Sequence, residues 1–348
     1  MGKTLTIEER MAKLEAIVNG DSLKREMIRK AAAYPKDYVG YLKTAEVTDA
    51  LKVGSDKEGG YLVPDEFEKK LVEKIESRSV IRNVANVIKT DNLLRIPGVS
   101  QKPTAAWVEE GEQFKETDME FYQVVIDAHK NGYITLASEE LLDDSGFDIE
   151  QYIIDTAGDK IGELEEAAFI SGDGVHKPTG VLVEAPVGQE TSKLCMDDAI
   201  ELFFSVGMRY RDKGVWVMSE DALRTLHKEK TAMGRNVWEG DIAKELPLKL
   251  MGKPVYVSDA MPAVAAGNCP IAFGDFSYYW IGDRGNRAIK RMNEIYADRG
   301  MIGFRVTHRV DGKASFNFMA AVTICSNFGA LKNKVRLFPL FPHLFAMK

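Results

Sequence analysis

A chain of 348 residues can bury a large core and divide into more than one domain. Its 45% hydrophobic and 28% charged residues, with a mean hydropathy of -0.22, are those of a soluble globular protein and exclude a chain disordered throughout. A net charge of -7, a pI near 5.5 and the lack of any long Lys/Arg run exclude a protein built mainly to grip nucleic-acid phosphates.

The first residues, MGKTLTIEER, are charged from the third position and carry no apolar stretch, so no secretory signal is expected and the cytoplasm is the expected compartment of synthesis. Residues 4 to 34 read as an amphipathic helix, with Thr6 and Glu9 as a capping box and Ile7, Met11, Leu14 and Val18 at helical spacing. Pro35 ends it, and the polar stretch to Gly60 reads as a linker. Pro64 then opens a helix whose apolar stripe is Phe67, Leu71 and Ile75.

Residues 84 to 136 alternate as strands do, forming an extended antiparallel excursion. Its middle, SQKPTAAWVEEGEQFKETDMEF, is rich in charge and poor in aliphatics, so something outside the excursion must support it. The strongest helix starts at Asp148, with Gln151 as its capping partner. Ile149, Ile153, Ala157, Ile161, Leu164 and Ala168 mark its buried stripe, and Glu150, Asp155, Glu163 and Glu166 its other faces. Helix, strand and helix then follow in DDAIELFFSVGMRYRD, GVWVMS and EDALRTLHKEK, with strands in KPVYVSDAM and PIAFGDFSYYWIGD. Residues 287 to 326 read as antiparallel strands around a turn at Asp311-Gly312. The fold class is α+β with discontinuous domains.

Chemistry is sparse. In FISGDGVHKPTGVL, residues 169 to 182, the glycines follow a helix and meet its negative end, the wrong polarity for a phosphate loop. Gly172 suits a left-handed helix cap, Asp173-Gly174 a tight turn and Pro178-Thr179-Gly180 a type I turn, with Gly172 or Gly174 expected at positive φ. His129, His176, His227, His308 and His343 never pair at ligand spacing and read as surface or structural. Cys195, Cys269 and Cys325 form no CxxC and read as reduced, mostly buried thiols. The carboxylate clusters Glu109-Glu110-Glu112, Glu139-Glu140 with Asp143-Asp144, and Glu163-Glu165-Glu166 read as solvated or inter-subunit faces ahead of acid/base pairs or a Ca²⁺ site. Trp107 reads as an anchor for a protein contact. No catalytic, cofactor-binding or metal-ligating residue is assigned, no cofactor is implied, and no segment is long and apolar enough to span a bilayer.

Six segments in order carry a resemblance: GGYLVPDEF (59 to 67), AAWVEEGEQFKETDMEF (105 to 121) with ITLASEELLDDS (134 to 145), AFISGDGVHKPTGVL (168 to 182), LMGKPVYVSDAMP (250 to 262), AFGDFSYYWIGDR (272 to 284) and FRVTHRVDG (304 to 312). Together they resemble the major capsid proteins of tailed phages, with the Hong Kong 97-type capsid fold. The resemblance implies a helical leader at 1-58, an N-arm at 59-86, an E-loop hairpin at 87-130, and a P-domain with a long spine helix at 131-190. An A-domain at 191-284, P-domain strands at 285-326 and a tail at 327-348 complete it. It also implies pentamers and hexamers closing into an icosahedral shell around double-stranded DNA, each E-loop lying across a neighbour. Partners would be other copies of the chain, a portal, a maturation protease, decoration proteins and, weakly, the packaged DNA, with no membrane. The virion would be the final location, with assembly in the bacterial host cytoplasm. Residues 1 to 55 stand where many members carry a cleaved scaffolding region; they are short and show no evident protease site, so cleavage after assembly and retention as an arm both stay open. Lys102 and Lys115 stand where the family's crosslinking lysine would, but ADRGMIGF (297 to 304) offers no asparagine, so no crosslink is expected. The tail VRLFPLFPHLFAMK, with Phe338, Leu340, Phe341, Leu344 and Phe345, is expected to dock on its own A-domain or on a neighbour. Two other readings stay open: an encapsulin-like compartment, and a phosphate- or metal-dependent enzyme centred on Gly172-Asp173-Gly174.

Overall fold

The computed structural model describes residues 37–44, 61–62, 65–101, 120–143, 146–230, 238, 248–285, 287–315, 318 and 320–325. In chain order these hold α1 (37–44), β1 (Tyr61–Leu62), α2 (Asp65–Arg78), α3 (Val80–Val84), β2 (Asn86–Thr90), β3 (Leu94–Gln101), β4 (Glu120–Ile126), β5 (His129–Ser138), α4 (Glu139–Asp143) and α5 (Ile149–Ser171). There follow α6 (Val181–Glu184), β6 (Val187–Thr191), α7 (Met196–Ser205), α8 (Met208–Arg211), β7 (Val215–Met218), α9 (Glu220–His227), β8 (Lys249–Leu250) and β9 (Lys253–Val257). β10 (Ile271–Gly274), β11 (Tyr279–Arg284), β12 (Ala288–Met292), β13 (Met301–Ala314) and β14 (Ala320–Cys325) close the series. The expected helix over 4 to 34, Trp107, His343 and the apolar tail lie outside the described residues.

The chain divides into two compact units, the first of residues 1–78, 130–162 and 284–310, the second of 79–129, 163–283 and 311–348. In the first unit, β1, β12 and β13 pair antiparallel in that order and β5 joins β13. The inward positions Ile289, Ile302, Phe304, Val306 and Ala137 meet α2 and the first half of α5 in one apolar cluster. The stripe Phe67, Leu71 and Ile75 is buried there as its spacing predicts, opposite Ile149, Ile153, Ala157 and Ile161. Each such side chain contributes about 1.5–3 kcal/mol by leaving water. Gly158 and Gly162 set the distance between the helices: a Cβ on Gly158 would come within 2.5 Å of Lys74 Cγ, and one on Gly162 within 2.8 Å of Arg78 Cβ. Ion pairs then flank the close approach, Lys74 with Asp155 at 3.1 Å and Arg78 with Asp159 at 2.8 Å.

The stretch after Pro35 is not wholly linker. Residues 37–44 are helical, and Tyr38, Tyr41 and Leu42 are buried in this same cluster, with the Tyr38 ring edge-on to Phe67 at 5.9 Å. Three large apolar side chains at helical spacing outweigh the polar residues between them.

In the second unit a mixed sheet runs in the order β6-β14-β10-β7-β9-β8, with β6/β14 and β7/β9 parallel and the other pairs antiparallel. α7 and α9 cover it, burying Ala199, Leu202, Ala222 and Leu226 against Trp216, Met218, Ile271 and Phe273. α9 starts as its sequence predicts, with the Ser219 hydroxyl accepting the Ala222 N–H at 3.3 Å. β3 and β4 form a separate two-stranded antiparallel ribbon, as the alternation of the excursion predicts. One face of the ribbon carries Ile96, Val124 and Ile126 inward; the other leaves Phe121 73% and Val125 38% exposed.

Candidate functional site

α5 begins as expected: the Asp148 carboxylate accepts the Gln151 N–H at 3.1 Å. The Gln151 side chain instead donates to Asp155 at 2.9 Å, so the cap is one-sided. The helix ends in the Gly-rich turn, which is closed on itself. Gly180 N–H donates to the Gly172 carbonyl at 2.8 Å, Asp173 and Thr179 form an antiparallel bridge, and Thr179 N–H donates to the Gly312 carbonyl at 2.9 Å. Gly174 has φ +77°, while the Asp173 carboxylate accepts the Val175 N–H at 3.0 Å.

Two local expectations are corrected here. Gly172 is not left-handed; it is glycine because a Cβ would run into the Pro178 carbonyl and stand 2.5 Å from the Ala168 carbonyl. Pro178-Thr179-Gly180 is extended rather than a type I turn, since Thr179 is held in the bridge and Gly180 has φ -73° and ψ 152°. His176, at φ +58°, is exposed on the rim. A loop whose carbonyls are packed against one another offers no cradle of free N–H groups to an anion.

The concentrated chemistry lies one turn earlier. The stripe predicted for α5 fails beyond Ile161: Leu164 is 52% exposed, whereas Glu165 and Glu166 are buried, contrary to the solvated face expected of them. Arg82, buried on α3, explains the inversion. Its Nε donates to Glu165 Oε2 at 2.8 Å, and its two terminal nitrogens grip Asp283 at 3.1 and 2.8 Å. Phe169 presents its ring to the same guanidinium, 5.6 Å from Cζ. Burial works to lower the Arg82 pKa, but Glu165 and Asp283 outweigh it and hold the group above its ordinary value.

Glu166 is satisfied separately. Oε2 accepts the Ser79 hydroxyl at 2.7 Å and the Ile81 N–H at 3.1 Å, and Oε1 accepts the Ser258 hydroxyl at 2.7 Å. Ser79 Oγ in turn accepts the Arg82 N–H at 3.2 Å, capping α3. Each acid has its donors, which is the condition for burying charge at all. Sequence reasoning missed Arg82, Ser79, Ser258 and Asp283; the available signal was the pair of glutamates falling where the helix stripe calls for apolar residues.

A second polar group sits where β13 passes the turn. Asp311-Gly312 lies inside β13 and makes no hairpin turn. Gly312 fits there because a Cβ would stand 2.5 Å from the Tyr279 hydroxyl and 2.9 Å from Phe169. Asp311 Oδ2 accepts the Asp127 N–H at 2.8 Å, and Oδ1 lies 3.6 Å from His129 Nε2. Beside it the Glu184 carboxylate accepts the Ala314 N–H at 2.7 Å. Burial pushes its pKa up to about 7, with Asp311 adding to the rise and Lys313 opposing it. Tyr279, fully buried between these groups, donates to the Thr179 carbonyl at 2.7 Å.

The remaining candidates are dispersed. His308 is buried and His227 packs edge-on to Trp238 at 5.8 Å. Cys195, Cys269 and Cys325 are free thiols, only Cys325 being fully buried. Glu139, Glu140 and Asp143 are exposed on α4. Arg211 does not join a basic track; it lies over the Phe203 and Phe204 rings and donates to the Phe204 and Val206 carbonyls. What the arrangement does chemically is hold a framework rigid, each buried acid being taken up by donors from distant parts of the same unit.

Residues 59–320 match the model of the phage capsid family. The major capsid protein of Klebsiella oxytoca phage phiKO2 is 23% identical over 301 residues, which span 74% of this chain and 69% of that protein. Among solved structures, the capsid of a native GTA particle computed with C5 symmetry is 29% identical with a TM-score of 0.63, covering 71% of this chain and 90% of that one. A chain from Microbacterium phage Oxtober96, 18% identical, shares the fold at a TM-score of 0.56 over 71% and 90%. The α+β architecture is thus the Hong Kong 97-type capsid fold, and with three quarters of its length inside the family match, the chain belongs to the phage capsid family.

Proposed function

We propose that the protein is the major capsid subunit of a tailed-phage head, assembling as pentamers and hexamers into an icosahedral shell around double-stranded DNA. The observation that carries this is the likeness to the GTA capsid over 90% of that chain's length, since a five-fold symmetric particle is built from repeated contacts between identical chains. The ribbon β3–β4 supports it: Phe121 stands 73% exposed on a face that the described residues do not cover, as a residue meant for a neighbour would. On this reading residues 87–130 form the E-loop, 191–284 the A-domain and 327–348 a docking tail. Portal, maturation protease and decoration proteins meet the shell, and packaged DNA touches it weakly. Subunits are synthesised in the host cytoplasm and end in the virion, held without covalent crosslinks.

Electron microscopy and sedimentation of the purified chain test the proposal. Closed shells or capsomer rings are expected, resolving to single chains on a denaturing gel; a monomer at all concentrations refutes it.

A further inference from the structure

The chain has three cysteines, and the sheet of the second unit brings two of them together. β10 and β14 run antiparallel with Ile271 opposite Thr323, so two residues further on, at the end of each strand, stand Cys269 and Cys325. Backbone pairing continues to that point with a shift of one residue. The Cys325 N–H donates to the Asn268 carbonyl at 3.0 Å, and the Cys325 carbonyl accepts the Gly267 N–H at 2.6 Å. Residues opposed across antiparallel strands have Cα atoms about 4.5–5.5 Å apart, within the roughly 4.4–6.8 Å that a disulfide spans. Burial pushes the Cys269 thiol up to about 11, and charge on Cys325 adds to the rise, as a like charge does only at close range. Cys325 is itself 6% exposed, yet it lines a partly open cavity of about 230 Å³ with Lys193, Leu194, Thr225 and Val264. A molecule little larger than water can reach a sulfur that the surface otherwise hides. Cys195 is placed differently: its Sγ donates to Asp198 Oδ2 at 3.1 Å in the cap of α7, and neither other thiol contributes to its raised pKa.

We infer that Cys269 and Cys325 are a modification site, a dithiol that a peroxide converts into an intramolecular disulfide stapling the head of β10 to the end of β14. The Cys325 thiolate attacks one peroxide oxygen from the cavity; the O–O bond breaks, and hydroxide leaves and takes up a proton to become water. The sulfur is left as a sulfenic acid. Cys269 sulfur then attacks it, the S–S bond forms as the S–O bond breaks, and the Cys269 proton leaves with the hydroxide as a second water. Two thiols thus lose two electrons, and one peroxide is reduced to two waters. Burial holds both thiols above their ordinary pKa, so little thiolate is present and the reaction is slow. Slow closure suits a chain made in a reducing cytoplasm and later carried in a particle outside the cell, where disulfides persist. That occasion rests on the assembly reading; the staple does not, since both sulfurs belong to one unit of one chain.

Purified chain held with hydrogen peroxide at about pH 8.5, near the ordinary thiol pKa, then alkylated in denaturant and mapped by mass spectrometry, tests it. A peptide pair joining Cys269 to Cys325, separated by reductant and lighter by two hydrogen atoms than the separate peptides, is expected, with Cys195 outside any join. The join closes a long loop, so the treated chain should melt at a higher temperature until reductant is added. Cys195→Ala should keep both the join and the shift, and Cys269→Ala should lose both. Three thiols still open to alkylation, a join that includes Cys195 or a second chain, or a sulfenic or higher acid on Cys325 with no join would each overturn the inference. Wild-type mapping decides the matter even if a variant fails to fold. Failure of the wild type to form shells would sink the assembly reading alone, because the join is scored on the unassembled chain as well.

Discussion

Arg82 and Asp283, 201 residues apart in sequence, are joined by two parallel hydrogen bonds of 3.1 and 2.8 Å inside the second unit, both side chains at most 5% exposed. Because Glu165 takes a third bond from the same guanidinium, removing the cation takes a buried charged partner from two carboxylates at once. Arg82→Met should therefore cost about 3–5 kcal/mol, read as a lowered denaturation midpoint with an unchanged urea slope. Exposed Arg224→Met, whose partners Glu220 and Asp221 are in solvent, should move the midpoint hardly at all.

At the end of α5, Gly172→Ala should destabilise strongly, by about 3 kcal/mol or more, because both atoms its Cβ would meet are backbone carbonyls that cannot swing aside. Gly207→Ala is the control, since its Cβ would find only Tyr210 at an ordinary 3.8 Å. Equal losses in the two variants would contradict the close-approach account of Gly172.

Glu184 makes stability fall as pH rises. Its pKa is about 7 in the fold against 4.5 for the ordinary side chain, so below pH 4.5 the acid is neutral in both states and nothing is lost. Between pH 4.5 and about 7 only the unfolded chain ionises, and the stability lost approaches about 3 kcal/mol and stays lost above that range. Glu184→Gln keeps an acceptor for the Ala314 N–H and should flatten the melting temperature between pH 5 and 7.5 relative to wild type. A wild-type curve already flat there would refute the assignment.

Phe121→Asp separates folding from assembly. The side chain is 73% exposed, so the isolated chain should melt within about 0.5 kcal/mol of wild type. Sedimentation velocity should nonetheless show far fewer large particles, a dissociation of effects that a purely internal role for the ribbon would not produce.

Much of this framework is written in periodicity. The stripes of α2 and the first half of α5, the Asp148 cap and the alternation of β3 and β4 rest on local spacing and are visible in a single pass along the chain. Glu165 and Glu166 are not, because their burial depends on Arg82, Ser79 and Ser258, which lie more than 80 residues away in sequence. The same limit hid Gly312, a strand residue that looked like a turn until Phe169 and Tyr279 were packed against it. Helix α1 was missed for a different reason: three buried apolar residues within a polar stretch are too few to show a period.

Time also enters through the Arg82–Asp283 pair. At about 5–20 residues per second, the ribosome delivers Asp283 some 10–40 s after Arg82, with Glu165 arriving in between. Until then the guanidinium lacks a full complement of counter-charges and has every reason to remain hydrated. A nascent chain therefore cannot complete this buried network before Asp283 has been made, which places its closing late in synthesis.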